Sequence, residues 1–258
     1  MTVHFGNPNA ISGVADAVPL YGSKEFASPT RSTVPMLSLL LRSTDVFDAI
    51  VQQLGMPNGY ELFLEYKVKP PKGRGTASHT DLMLTAGTDS LAIEAKWTEP
   101  MYDPVSKWLK SGKDSSNREQ VLDGWLSLLE GPAQGSLDRC DFDDLTYQMV
   151  HRAASAAAAG AAPRLAYFLF KPSDAKNTAT ANDMFRQLES LWKLLESPAG
   201  FPFSVVEITA HPTEALDAIK HLPKNDQSTS DAVVAALLSE IPLFDFSEFE
   251  VSHVGGNS

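Results

Sequence analysis

Hydrophobic and polar positions along the chain predict helices and strands in a definite order. Apolar residues recur at three- and four-residue steps over residues 33–54, which predicts an amphipathic helix that ends at Gly55. Three stretches with the alternation of strands follow at residues 61–69, 78–85 and 90–97, and short turns separate them. Consecutive strands with short links predict an antiparallel meander.

Alternation in the first of these strands assigns its side chains to two faces of the sheet. One face is predicted to carry Leu62, Leu64, Tyr66 and Val68. The opposite face is predicted to carry Glu61, Phe63, Glu65, Lys67 and Lys69.

Helical and strand patterns alternate after residue 100. The predicted helices cover residues 116–131, 143–162, 181–196, 213–221 and 228–239, and the predicted strands cover residues 165–170 and 203–209. The stretch 153–162 is almost entirely alanine, which leaves low-complexity disorder as an alternative. We interpret it as a helix whose small side chains allow it to lie close against a sheet.

The order of elements predicts one α/β domain with a central mixed sheet flanked by helices. This domain is predicted to span residues 33–244, with additional helices and a strand near its C-terminal end. Residues 1–32 are predicted to form an irregular arm with a short helical turn. Residues 245–258 are predicted to form a polar, frayed tail.

Composition narrows the class of protein. The chain has 258 residues, of which 43% are hydrophobic and 21% charged, as expected for a folded, cytoplasmic protein. Uninterrupted apolar runs stay well below the roughly 18 residues of a membrane span, so no membrane partner is expected. Cys140 is the single cysteine, which excludes intrachain disulfides and cysteine-cluster metal sites. The net charge of −11 argues against a broad nucleic-acid-binding coat but leaves a local cleft open.

Two carboxylates and a lysine are predicted to meet on adjacent strands. Glu94 and Lys96 are two residues apart, so they share one face of the third strand, and Ala95 between them faces the core. Asp81 lies on the preceding strand, and a short link can bring its carboxylate beside that of Glu94. Oxygen ligands of this kind suit Mg²⁺, and a neighbouring lysine can stabilise phosphate oxygens or hold an attacking water. The set therefore favours metal-assisted phosphodiester hydrolysis.

Asp81 followed by Glu94-Ala95-Lys96 resembles the PD-(D/E)xK nuclease superfamily, which includes many restriction endonucleases. The run from Glu94 through Thr98 and Glu99 to Pro100 is also similar to restriction-endonuclease families with a Glu-x-Lys-x-Thr-Glu-Pro turn. The resemblance covers residues 33–171, and it implies a core in the order helix, three strands, helix, strand. The chain departs from the motif at Thr80, where the motif has proline.

The resemblance implies a role for each of these residues. Asp81 and Glu94 would bind Mg²⁺ together with the carbonyl of Ala95, Mn²⁺ could substitute for Mg²⁺, and Lys96 would orient the nucleophile. Glu65 is our choice for a further acid, with Asp45 and Asp48 as alternatives. Gln148 and Arg152 would share one helix face and contact substrate, or else form an ordinary surface pair. His79 has no second His or Cys at ligand spacing, which disfavours a zinc site.

Two cationic segments flank the proposed site. Residues 66–76 contain four cations and no acid, and we predict that all four contact nucleic acid: Lys67, Lys69, Lys72 and Arg74. The second segment follows the third strand and lies near Trp97 and Trp108: Lys107, Lys110 and Lys113. For this second segment a solvated loop is an equal alternative.

Three hypotheses about function follow from the sequence. The first is a Mg²⁺-dependent DNA endonuclease of a restriction or defence system, for which a homodimer is plausible because cutting two strands often needs two sites. The second is a catalytically silent nucleic-acid-binding or assembly protein on the same fold. The third is an α/β protein in which Glu94 and Lys96 are an accidental pair. Glycine-rich phosphate loops and a Gly-x-Ser-x-Gly elbow are both missing from the sequence.

Overall fold

A computed structural model describes residues 2–133, 135–173, 175–196 and 200–255. Its described strands form one mixed sheet: β1 (Val3–Phe5), β2 (Asn9–Ile11), β3 (Glu61–Val68), β4 (Ser78–Ala86), β5 (Asp89–Lys96), β6 (Ala162–Lys171), β7 (Phe203–Pro212) and β8 (Phe244–His253). Across the sheet the order is β2-β1-β3-β4-β5-β6-β7-β8. The predicted antiparallel meander is confirmed in β3, β4 and β5. Strands β5, β6 and β7 run parallel, β1 runs parallel to β3, and β8 returns antiparallel to β7.

Helices cover both faces of this sheet. They are α1 (Val14–Ala17), α2 (Thr33–Arg42), α3 (Thr44–Gln53), α4 (Val105–Lys110), α5 (Ser115–Ala133), α6 (Tyr147–Ala159), α7 (Ala181–Leu194), α8 (Glu214–Ile219) and α9 (Gln227–Leu238). One apolar layer packs α1, α2, α3, α8 and α9 against the sheet. The second layer packs α4, α5, α6 and α7 against the opposite face. The predicted α/β architecture with a mixed sheet flanked by helices is thus confirmed.

The predicted long helix over residues 33–54 is two helices. Ser43 separates α2 from α3 and has φ −136° and ψ 51°, which lies outside the helical region. Apolar spacing continues across the break because both helices pack on the same layer. Periodicity therefore identified the buried face correctly and missed the change of direction.

Strands near both ends of the described chain, β1 and β8, belong to the sheet, which corrects two predictions. Residues 1–32 are not irregular throughout, since β1 pairs with Leu62 to Leu64 of β3 and with β2. Residues 245–253 are not a frayed tail, since β8 pairs with β7 along its whole length. In both cases the pairing partner is distant in sequence, and local patterning does not reveal it.

The alanine-rich stretch is helical, as predicted, through Ala159. Helix α6 packs against β4, β5 and β6, and the side chains of Ala153, Ala154 and Ala156 are completely buried. Gly160 ends the helix beside the β4–β5 turn, where an added Cβ would lie 2.6 Å from the carbonyl oxygen of Thr88. Small residues therefore permit the close approach of this helix to the sheet.

Among the described residues, no helix is long and apolar enough to cross a membrane.

Candidate functional site

The middle of β3 changes the face on which its side chains lie. Leu64 pairs with Leu82 and Tyr66 pairs with Thr80, and Glu65 lies between them with φ 54°. Before this residue, Leu64 packs in the layer of α2 and α3. After it, Tyr66 packs in the layer of α5 and α6. The predicted assignment of Tyr66 and Val68 to the face of Leu62 and Leu64 is therefore wrong, because a left-handed residue interrupts the alternation.

Strands β4 and β5 separate at the level of Glu65 in the sheet. Their last paired residues in this direction are Leu82 and Ile93. Beyond this pair, Oδ2 of Asp81 accepts a hydrogen bond of 2.8 Å from the main-chain N–H of Ala95. The carboxylate of Asp81 thus bridges the two strands where their ladder ends.

Glu94 and Lys96 lie on one face of β5, as predicted, and Ala95 packs on the other side. Nζ of Lys96 lies 2.8 Å from Oε1 of Glu94. Both residues are almost completely buried, with 3% and 4% of their surface exposed. Burial of a pair of opposite charges is tolerated only with good geometry and further hydrogen bonds.

Helix α6 supplies those further hydrogen bonds. Nε2 of Gln148 donates to Oε1 of Glu94 at 2.7 Å, and Nε of Arg152 donates to Oε2 at 2.5 Å. Arg152 also contacts the hydroxyl of Ser78 on β4. Gln148 and Arg152 share one helix face, as predicted, but the alternative of an ordinary surface pair is wrong because only 4% and 6% of their surfaces are exposed.

Electrostatics distinguish the two carboxylates. Burial raises the pKa of Asp81 well above its ordinary value, and Glu94 adds to the effect while Arg152 and Lys96 oppose it. Burial acts in the same direction on Glu94, but Arg152 and Lys96 outweigh it and the pKa of Glu94 is lowered. Glu94 is therefore held as a carboxylate between two cations, and Asp81 is the group that takes up a proton more readily.

Glu65 lies beside this cluster. Its Oε2 is 3.1 Å from Nδ1 of His79, and the pKa of Asp81 is raised in part by the charge of Glu65. Burial raises the pKa of Glu65 itself, although His79 lowers it. The two alternative acids lie elsewhere: Asp45 and Asp48 line a separate cleft beside α3, where Asp48 accepts a hydrogen bond from Tyr60 at 2.7 Å.

Sequence reasoning missed the hydroxyl groups around the carboxylates. Tyr167 on β6 is the register partner of Glu94 on β5, and its pKa is raised well above the ordinary value by burial and by Glu94. Tyr21 precedes α2, and burial, Glu65 and Asp81 raise its pKa. Within the described residues, the buried hydroxyls of Tyr21, Thr80 and Tyr167 have no hydrogen-bond partner. The one sequence signal was a tyrosine within an otherwise apolar strand, at Tyr167.

A cleft of about 440 Å³ opens beside the cluster, between α5, α6 and the loop that joins β3 to β4. Arg74, Gln148 and Arg152 line it. The structure does not bring all the predicted cations together here. The cations outside the cleft lining are Lys67, Lys69, Lys72, Lys107, Lys110 and Lys113.

The turn after β5 is fixed by Glu99. Its Oε1 accepts hydrogen bonds from the N–H and the hydroxyl of Ser32, and its Oε2 accepts from the N–H groups of Trp97 and Thr98. This contact ties the end of β5 to the start of α2 on the far side of the sheet. Within the Glu-x-Lys-x-Thr-Glu-Pro run, Glu99 therefore has a structural role.

Comparison with models of known protein families assigns the chain to a family. A family model described as a domain of unknown function, DUF6946, matches residues 10–208. The chain belongs to the DUF6946 family. Searches of curated proteins and of solved structures found no match. The family description assigns no activity.

The matched part of the DUF6946 chain contains the entire cluster. Strands β3 to β6 and helices α5 and α6 lie within residues 10–208, and β8 lies outside them. In the described part of the chain, no three His, Cys, Asp or Glu side chains are arranged to hold a metal ion by themselves. A cation at Asp81 and Glu94 would therefore need main-chain or solvent oxygens as well.

Proposed function

We propose that this DUF6946 protein is a Mg²⁺-dependent nuclease that hydrolyses phosphodiester bonds in DNA. One observation carries the proposal: Asp81 bridges β4 and β5 at the level where Glu94 and Lys96 project from β5. These are the three residues to which the PD-(D/E)xK resemblance assigns the chemistry. The same proposal includes a restriction-endonuclease-like core, a role in restriction or defence, and a homodimer for cutting both strands.

The donor set fits a hard divalent cation. Asp81 and Glu94 offer carboxylate oxygens and Ala95 offers a carbonyl. Burial and the charge of Glu94 destabilise Asp81 as an anion, so a cation beside it is favourable. When bound, Mg²⁺ supplies a more acidic water and neutralises charge that develops on the phosphate. Oε1 of Glu94 accepts hydrogen bonds from Lys96 and Gln148, whereas Oε2 accepts one from Arg152 and keeps a lone pair for a cation.

The protein's own groups have distinct tasks in this reaction. Lys96 uses one of its three N–H donors on Glu94, and the others are available for the attacking water or a phosphate oxygen. Water attacks phosphorus, the bond to the leaving oxygen breaks, and the proton lost by the water needs an acceptor. Burial raises the pKa of Glu65, so Glu65 is the carboxylate suited to take that proton, and the leaving oxygen takes up a proton from solvent.

Cleavage of DNA tests the proposal. Purified protein is incubated with supercoiled plasmid and with linear DNA, in Mg²⁺, in Mn²⁺ and in chelator. Wild type is expected to cut only with metal, and Asp81→Asn and Lys96→Gln are expected to lower the rate at least about 100-fold. Glu61→Gln changes an exposed acid at the start of β3 and should cut like wild type. Cutting that survives in both site variants would remove the assigned residues from the mechanism.

A second candidate is a catalytically silent nucleic-acid-binding or assembly protein. The enclosure of Glu94 by Lys96, Gln148 and Arg152 favours it, because a carboxylate with both oxygens engaged is a stable structural element. This candidate predicts DNA binding without cleavage under every metal condition. It also predicts that Asp81→Asn leaves DNA affinity unchanged.

A further inference from the structure

The cleft beside the carboxylate cluster differs in charge from the rest of the molecule. The chain carries 32 acidic and 21 basic residues, yet the described residues that line the cleft include Arg74, Arg118 and Arg152 and no Asp or Glu. Asp114 stands at the rim, with its Oδ2 3.6 Å from Arg74, whose side chain is 89% exposed. Burial and Arg152 hold the pKa of His151 well below its usual range, so this lining histidine adds no charge. The charge of Arg152 is balanced by Glu94 behind the lining, so Arg74 and Arg118 are the lining arginines that favour an anionic ligand.

Aromatic rings form a second part of the same lining. Trp108 and Tyr147 stack with ring centroids 3.7 Å apart, and the guanidinium of Arg118 lies 4.9 Å from the Trp108 ring centroid. Tyr102 stands at the opening, 57% exposed, with Nζ of Lys96 4.9 Å from its ring centroid. Cations interleaved with aromatic rings are the surface that proteins use for unpaired nucleic-acid strands.

The wall that carries Arg74 is held in place by the protein. Asn117 of α5 accepts a hydrogen bond from the N–H of Arg74 and donates one to its carbonyl, both at 2.7 Å. The loop backbone also lies directly on α5, where an added Cβ at Gly124 would be 2.8 Å from the N atom of Lys72. The cleft is therefore formed before any ligand arrives, which lowers the entropy lost on binding.

The floor of the cleft connects it to the carboxylate cluster. Gln148 and Arg152 line the cleft and also hydrogen-bond Glu94. We infer that this cleft binds an unpaired segment of a DNA strand, with its phosphates on Arg74 and Arg118, a base against the exposed ring of Tyr102, and the next phosphodiester directed toward the carboxylate cluster behind Gln148 and Arg152. At about 440 Å³ the cleft is the size of a small-ligand pocket, which suits a nucleotide and not a duplex. This inference rests on the proposed function and names the form of its substrate.

Binding measured without metal tests the inference apart from catalysis. The full chain is titrated into fluorescein-labelled single-stranded DNA, and into the matched duplex, in chelator, and anisotropy is recorded. We expect tighter binding to the single strand, and we expect Arg74→Glu and Tyr102→Ala each to weaken it about tenfold. Lys193→Glu is the control, because it reverses an exposed charge on α7 outside the cleft lining, and it should change affinity less than twofold.

Each outcome bears on one proposal separately. Single-strand binding that is lost in Arg74→Glu and Tyr102→Ala supports the inference even if no metal produces cleavage, in which case the nuclease proposal fails alone. Equal affinity for single-stranded and duplex DNA would overturn the inference that the cleft binds an unpaired strand. Unchanged binding in both variants, with folding verified by circular dichroism, also overturns it, even if the wild-type protein cuts DNA.

Discussion

At the scale of single residues, Glu94 faces two requirements that conflict. A metal ligand needs a free lone pair, whereas a buried carboxylate needs hydrogen bonds to its oxygens, and Lys96, Gln148 and Arg152 supply three of them. A lowered pKa means that the contribution of Glu94 to stability is present above its unfolded-state pKa and is lost as the pH falls. The pKa of Asp81 is raised, so its contribution to stability is present at low pH and is lost as the pH rises.

Replacing Arg152 tests the enclosure of Glu94. Arg152→Met leaves Glu94 with less compensation for its burial, and we expect it to lower the free energy of unfolding by about 3–5 kcal/mol. Glu94→Gln should also destabilise, because it leaves the charges of Arg152 and Lys96 unbalanced. In the double variant the losses should be less than additive, as measured by urea unfolding. Strict additivity would show that the two side chains do not interact energetically.

The pH dependence of stability tests the state of Asp81. Its raised pKa means that the stability it contributes is present below its unfolded-state pKa, near 3.8, and is lost as the pH rises through its folded-state pKa. Asp81→Asn removes the free-energy cost of ionising this side chain in the folded protein. It retains an oxygen that can accept the hydrogen bond from the N–H of Ala95. As the pH rises above 3.8, the variant should therefore gain stability relative to wild type, by about 1.4 kcal/mol for each unit by which the folded-state pKa is raised.

Urea midpoints of wild type and Asp81→Asn at several pH values give this difference directly. Asp16→Asn, at an exposed position of α1, is the matched control and should show no such trend. A gain that is greatest at low pH would contradict the assignment, because it would mean that the carboxylate of Asp81 stabilises the folded protein as an anion.

At the scale of elements, the contact between α5 and the β3–β4 loop positions the wall of the cleft. Gly124→Ala places a methyl group 2.8 Å from the main-chain N atom of Lys72, and a main-chain atom cannot rotate away as a flexible side chain would. We expect a loss of about 1–3 kcal/mol in thermal or urea unfolding, despite the better helix propensity of alanine. Gln120→Ala, at an exposed position of the same helix, should change stability by less than about 0.5 kcal/mol. A Gly124→Ala protein as stable as wild type would show that the loop moves freely.

Sequence patterns correctly predicted those elements whose structure depends on residues close together in the chain. Alternation identified β3, β4 and β5 and the shared face of Glu94 and Lys96, because each depends on residues next to one another in the chain. The change of face at Glu65 could not be predicted, since a left-handed backbone at a glutamate has no sequence signature. Strand β8 was missed because its alternation is broken: Phe246 and Phe249 are three residues apart, and the pairing with β7 shifts at Thr209 and Ala210.

At the scale of the whole molecule, tertiary packing decides what completes the site. The spacing of Gln148 and Arg152 predicts a shared helix face, but only the docking of α6 on β5 shows that this face meets Glu94. The register that sets Tyr167 beside Glu94 likewise depends on pairing between β5 and β6. The net charge of −11 does not conflict with the proposed DNA-binding cleft, because arginines of α5, α6 and the β3–β4 loop line one cleft.

Binding of Mn²⁺, followed by electron paramagnetic resonance, tests the central claim that Asp81 and Glu94 hold a divalent cation. The measurement needs no knowledge of the DNA sequence that the protein prefers, so it is independent of the choice of substrate. The wild-type protein should bind Mn²⁺, Asp81→Asn and Glu94→Gln should lose that binding, and Glu61→Gln should retain it. Wild type that binds no Mn²⁺, or equal binding in all four proteins, would contradict the account.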